Sequence, residues 1–205
     1  MGLKERFYQV LSCWIDNETF IGQQWEELSE KYTQSFRKYH NLNHLQELFK
    51  YFDAYKNELE HPNEMAFSIF YHDIIYSIWS KKNELNSAKL ATEYLLNSAL
   101  DDSGIERVFN LIMVTKNHTP NKNKDEKWMI DFDIGILGQP YETYLQYTQH
   151  IRDEYAAIPN SVYKKGRKKV LSHFLNKSKI YQTDTFYNLF EMNARNNIKK
   201  ELDTL

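Results

Sequence analysis

Bulky apolar residues return along this chain at intervals of three and four, almost never at intervals of two, so the pattern predicts helices throughout. A first helix is expected over residues 4–16. Trp25, Leu28, Tyr32 and Phe36 mark one helical face, and Leu42, Leu45, Leu48, Phe49 and Phe52 mark the next. Pro62 suits a first helical turn, and residues 65–79 then run apolar on nearly every side, as a central buried helix would. Residues 83–100 read as an amphipathic helix, with Asp101, Asp102 and Ser103 punctuating before another over 105–116. Residues 117–126 read as loop, and 128–137 as a short apolar helix closed by Gly138. Pro140 opens a helix running to about Ala157, where Pro159 stops it, and two more follow over 162–175 and 185–202. This makes nine or ten helices and no alternating run of four residues or more. The expected architecture is all-α, one helical bundle over residues 1–205, with the N-terminal helix and the helices of 160–202 packed on its core.

Composition narrows this further. Six Gly and four Pro in 205 residues disfavour folds built from tight turns, and neither GxxxxGK[ST] nor GxGxxG occurs, which removes P-loop and Rossmann chemistry. Twelve Phe, fifteen Tyr and four Trp supply bulk for one sizeable core. With 26 basic and 28 acidic residues the net charge is −2, so no global field attracts nucleic acid or an anionic membrane. The one dense basic run, Lys164, Lys165, Arg167, Lys168 and Lys169, reads as a solvated helix face, and no nucleic-acid recognition motif accompanies it. The apolar stretch 65–79 is broken by His72 and Asp73 and is shorter than the roughly 20 residues that span a bilayer. The single Cys13 and the absence of a signal-like N-terminus point to the cytoplasm.

The chemistry is expected on the apolar helices. Within FSIFYHDIIYSIW the only ionisable groups besides tyrosines are His72 and Asp73, and helical spacing sets them with Ile69 and Tyr76 rather than toward water. A buried carboxylate needs a partner, and a metal ion is the economical one. MIDFDIGIL repeats the theme: Asp131 and Asp133 lie two apart, on opposite sides of a helix, and the apolar neighbours of Asp133 set it in the core with Asp131 nearer the rim. His40 and His44 are four apart, a spacing that brings two imidazoles to one helix face. Such a nitrogen and oxygen set suits one divalent ion, Mn²⁺, Fe²⁺, Co²⁺, Ni²⁺, Zn²⁺ or Mg²⁺. A ferritin-like di-iron bundle would need two ExxH pairs, and only Glu58 to His61 fits, at a helix boundary.

The order His44, His72-Asp73, Asp133 resembles the H…HD…D signature of the HD superfamily of metal-dependent phosphohydrolases. RKYHNLNH, FYHDIIY, NELNSA, DFDIGILG, IRDEYAAIP, YKKGRKKVLSHFL and NARNN extend the resemblance over residues 37–197, to a bacterial branch of predicted phosphohydrolases. The resemblance implies an HD-type bundle in which His44, His72, Asp73 and Asp133 hold one divalent ion. Water activated by that ion would attack a phosphomonoester or phosphoanhydride, plausibly of a nucleotide, with Asp73 also accepting a proton. Arg37, His40, Lys116 and His118 are then candidates for the substrate phosphate, and Glu84 for a general acid or a supporting group. Arg152 and Arg167 are expected at the surface. The alternative is a module that holds metal and nucleotide without turnover. The partner in either case is a small phosphorylated molecule.

Overall fold

The computed structural model describes residues 1–121 and 123–205 and contains, among them, ten α-helices and no strand. They are α1 (Leu3–Leu11), α2 (Glu18–Tyr32), α3 (Leu42–Tyr55), α4 (Pro62–Tyr71), α5 (Asn83–Leu95), α6 (Asp102–Met113), α7 (Lys124–Asp133), α8 (Tyr141–Glu154), α9 (Asn160–Asn176) and α10 (Asp184–Thr204). One hydrophobic core, running from Phe7 on α1 to Ile198 on α10, is shared by them. Helix α4 lies at its centre, packed on α1, α3 and α6, and Met65, Phe67, Ile69, Phe70 and Tyr71 are fully enclosed. No helix among the described residues is long and apolar enough to cross a membrane.

Several boundaries differ from the periodicity, and each difference has a local cause. The first helix stops at Leu11 rather than 16, and α2 starts early because the Asn17 side chain accepts from Phe20 N–H. The central helix ends at Tyr71 instead of running to 79. Side chains replace its next helical bonds: Arg37 donates to the carbonyls of Asp73 (2.7 Å) and Ile74 (2.9 Å), Ser87 Oγ accepts from Ile75 N–H (3.1 Å), and Asn83 pairs with the backbone of Ser77 in both directions. Helix α3 begins at Leu42 behind an Asn41 cap, so His40 precedes the helix and does not share its face with His44.

Helix α7 likewise ends at Asp133 and tightens into a 3₁₀ segment, Ile134–Gly138. Gly138 does not close it by a left-handed cap; a Cβ there would stand 2.4 Å from Phe190 Cβ, so the residue is small to let α10 lie against this segment. Helix α6 also runs into a 3₁₀ turn, Val114–Lys116.

Candidate metal centre

Three separate pieces of chain bring His44, His72 and Asp133 to one point in the core, with Asp73 beside His72. His44 comes from the first turn of α3, His72 and Asp73 from the turn that caps α4, and Asp133 from the last residue of α7. His44 Nε2 lies 3.2 Å from His72 Nε2 and 3.4 Å from Asp133 Oδ1, and His72 Nε2 lies 3.6 Å from Asp133 Oδ1. Asp73 Oδ2 is 3.1 Å from His72 Nε2. Metal–ligand bonds near 2.0–2.1 Å set neighbouring donors about 2.8–3.4 Å apart in octahedral or tetrahedral sites. His44, His72 and Asp133 therefore could hold an ion as they stand.

The donor chemistry fits the same conclusion. His72 Nδ1 faces the Ile69 carbonyl at 2.9 Å, and a carbonyl only accepts, so Nδ1 carries a proton and Nε2 turns toward the other three groups. Burial opposes charge on His72, yet Asp73 and Asp133 outweigh it and push the imidazole up to about 9. Burial would raise both carboxyls; His72 and His40 hold Asp73 below its usual range, and His118, His44 and His72 do the same for Asp133. Burial keeps His44 below the ordinary imidazole value.

Supporting groups fix these donors. His118 Nε2 donates to Asp133 Oδ2 at 3.0 Å, which leaves Oδ1 for the cluster. Its backbone is in the left-handed region, φ 49°, held there by Lys177, whose ammonium donates to the carbonyls of Asn117 and His118. The His118 ring is thus committed to a cluster carboxylate rather than free for a phosphate. Arg37 was expected at a phosphate too; it is 4 % exposed, and its two terminal nitrogens donate to the carbonyls of His40, Asp73 and Ile74. It shapes the turn that carries Asp73. His40 does face the site, with Nε2 3.9 Å from Asp73 Oδ2.

The remaining candidates lie elsewhere. Lys116 is exposed at the end of its 3₁₀ turn. Glu84 sits in the first turn of α5 and, among the described residues, forms no side-chain hydrogen bond or ion pair; its charge there favours the helix dipole. Asp131 is not at the rim but fully enclosed, more so than Asp133, because it accepts from Gln182 N–H (2.7 Å), Thr183 N–H (2.8 Å) and Thr183 Oγ1 (2.7 Å) at the approach to α10. Both sides of α7 are covered, so opposite faces are both interior. Arg167 is buried against Glu201 rather than at the surface, and Arg152 donates to the carbonyls of Tyr155 and Ile158 at the end of α8.

A cavity of about 430 Å³ opens beside His44 and Asp133, between α3 and α8. Tyr39, Tyr51 and Tyr147 line it with ring surface. Carboxamides, among them Asn43, Gln46 and Gln146, contribute neutral donors and acceptors, and Lys38 and Glu47 oppose one another in charge. Its size is that of a small-molecule site.

Glu154, buried behind His40, is a site residue that helical spacing did not single out: it lies in a charged stretch, IRDEY, that looks solvated, although that stretch belongs to one of the segments carrying the family resemblance. No family model matches the chain, and no curated protein or solved structure compared with it is a match.

Proposed function

We propose that this chain is a metal-dependent phosphohydrolase of HD type that cleaves a small phosphorylated substrate, plausibly a nucleotide. The observation that carries the reading is the convergence of His44, His72 and Asp133, with Asp73 against His72, in the core beside an open cavity. His44, His72 and Asp133 would hold a divalent ion, which when bound would supply Lewis acidity toward a phosphoryl oxygen and an activated water. Asp73 stands beside that trio with Oδ2 directed between His72 and His40, in position to join the ligands or to take a proton from a reacting water. His40 Nε2 reaches the same space from the other side and orients a phosphoryl oxygen or water there.

The body of the substrate lies in the adjoining cavity. Tyrosine faces offer stacking surface to a flat ring, and carboxamides offer paired donors and acceptors. With Lys38 offset by Glu47, and Arg37 already committed, the lining suits a single phosphate on an uncharged body better than a polyphosphate chain. A phosphomonoester is therefore favoured over an anhydride.

The test is elemental analysis of the purified protein together with a phosphate-release screen under Mn²⁺ over nucleoside mono-, di- and triphosphates, sugar phosphates and aryl phosphates. One bound divalent ion per chain and release from a monoester are expected. Saturable nucleotide binding with no release from any compound would favour the sensing module instead, and absence of any bound ion would defeat both.

A further inference from the structure

Glu154 closes α8 and has no place among the four ion-facing groups, yet it is a fully enclosed carboxylate directly behind His40. All four of its acceptor positions are filled. Oε1 accepts from the main-chain N–H groups of Tyr39 (2.8 Å) and His40 (2.9 Å); Oε2 accepts from the Tyr76 hydroxyl (2.7 Å) and faces His40 Nδ1 at 2.7 Å. An ionised carboxylate has no proton to give, so Nδ1 is the donor in the last of these bonds. Burial alone would raise Glu154, but the donors that converge on it hold it below its usual range and keep it an acceptor. The imidazole plane is fixed as well: Tyr76 lies over it with ring centres 4.4 Å apart and tilted by 30°, and Tyr39 meets it edge-on at 5.0 Å.

With Nδ1 committed, Nε2 points away from Glu154 toward Asp73 Oδ2. The separation of 3.9 Å is too long for a direct hydrogen bond and leaves room for an atom that bonds to both. We infer that Glu154 is a positioning residue: it locks His40 in the Nδ1–H tautomer and turns the free Nε2 toward the space beside Asp73 where the reacting phosphoryl group or water sits. What His40 touches there rests on the phosphohydrolase reading; the tautomer does not. The competing account is that Glu154 only ties residues 39–40 to α8 and is indifferent to the ring.

The two accounts separate in Glu154→Gln. The amide oxygen retains the main-chain bonds, while the amide NH₂ group, turned to His40 Nδ1, can only donate and so drives the ring proton to Nε2. Long-range proton–nitrogen spectra of the ion-free protein, at a pH where the ring is neutral and with the His40 signals identified by their loss in His40→Asn, report the tautomer. The wild type is expected to carry its proton on Nδ1 and Glu154→Gln on Nε2. Mn²⁺ affinity should stay within about threefold, while kcat for phosphate release falls about 10–100-fold, the range for a carboxylate that orients an imidazole. An Nε2–H ring in the wild type, or the same tautomer in both proteins, overturns the inference. So does a parallel loss of melting temperature, Mn²⁺ binding and turnover in Glu154→Gln, which would mark a scaffold role. If the wild type releases no phosphate from any compound, the enzymatic reading fails while the tautomer comparison still decides the role of Glu154.

Discussion

Two buried polar clusters in this molecule are built from similar ingredients and arranged in opposite ways. At the α8–α9–α10 junction, Arg167 donates to both oxygens of Glu201 (2.7 and 3.0 Å) and to the Tyr147 hydroxyl (3.1 Å), and the Tyr144 hydroxyl donates to Glu201 as well. Donors meet acceptors and the charges cancel, so the cluster is complete within the chain. At the end of α4, imidazole nitrogens and carboxylate oxygens from three pieces of chain face one another at 3.1–3.6 Å, close enough to share one ion. The first cluster is satisfied by its own side chains; the second could hold a metal ion. Tyr147 joins the two, accepting from Arg167 while its ring lines the cavity beside His44.

The sharpest way to break this contrast is Asp73→Ala. Phosphate release should drop at least about a thousandfold, as expected when an ion-facing group in a catalytic centre is removed, and ion retention after dialysis should fail. Undiminished turnover in that variant would remove the second cluster from the chemistry. Next in size is Arg167→Ala, which strands Glu201 in the interior and should cost about 3–5 kcal/mol in denaturant unfolding, while Mn²⁺ titration of the still-folded protein stays unchanged.

Adding ion should act in the reverse sense. Mn²⁺ at a hundred times its dissociation constant should stabilise the wild type by about 2.7 kcal/mol. His44→Ala should show none of that gain, and without ion it should also be less stable than the wild type, because it opens a cavity in the core and removes a partner of His72 and Asp133. Differential scanning with and without chelator reads both outcomes. The last effect concerns acid. Glu154 is held at about 2 in the fold against an ordinary 4.5, so its stabilisation is complete above pH 4.5 and is lost as pH falls through that value toward 2. The loss is at most about 3 kcal/mol, and Glu154→Gln should flatten that part of the stability profile.

The helices were legible because their burial follows one period. So were His44, His72, Asp73 and Asp133, since ionisable groups inside apolar runs must meet a partner. What periodicity does not carry is the place where a helix yields to side-chain hydrogen bonds. The apolar run past Tyr71 looks helical until Arg37, Asn83 and Ser87, distant in sequence, take over its backbone. For the same reason Arg37 looked like a phosphate ligand when it is a brace. Asp131 and Asp133 could not be ranked by their neighbours, because α10 covers the face of α7 that a lone helix would expose. Arg167 hid within a lysine-rich run whose other members do face water.

The backbone at His118 carries its own lesson. Its left-handed twist is one that glycine adopts freely and an imidazole-bearing residue adopts at a cost of about 1–2 kcal/mol. A glycine there would relax the polypeptide and leave Asp133 without its steadying neighbour. Selection for heat resistance alone would therefore drift toward erasing this side chain, and any hardened variant of the molecule should be inspected first at this position.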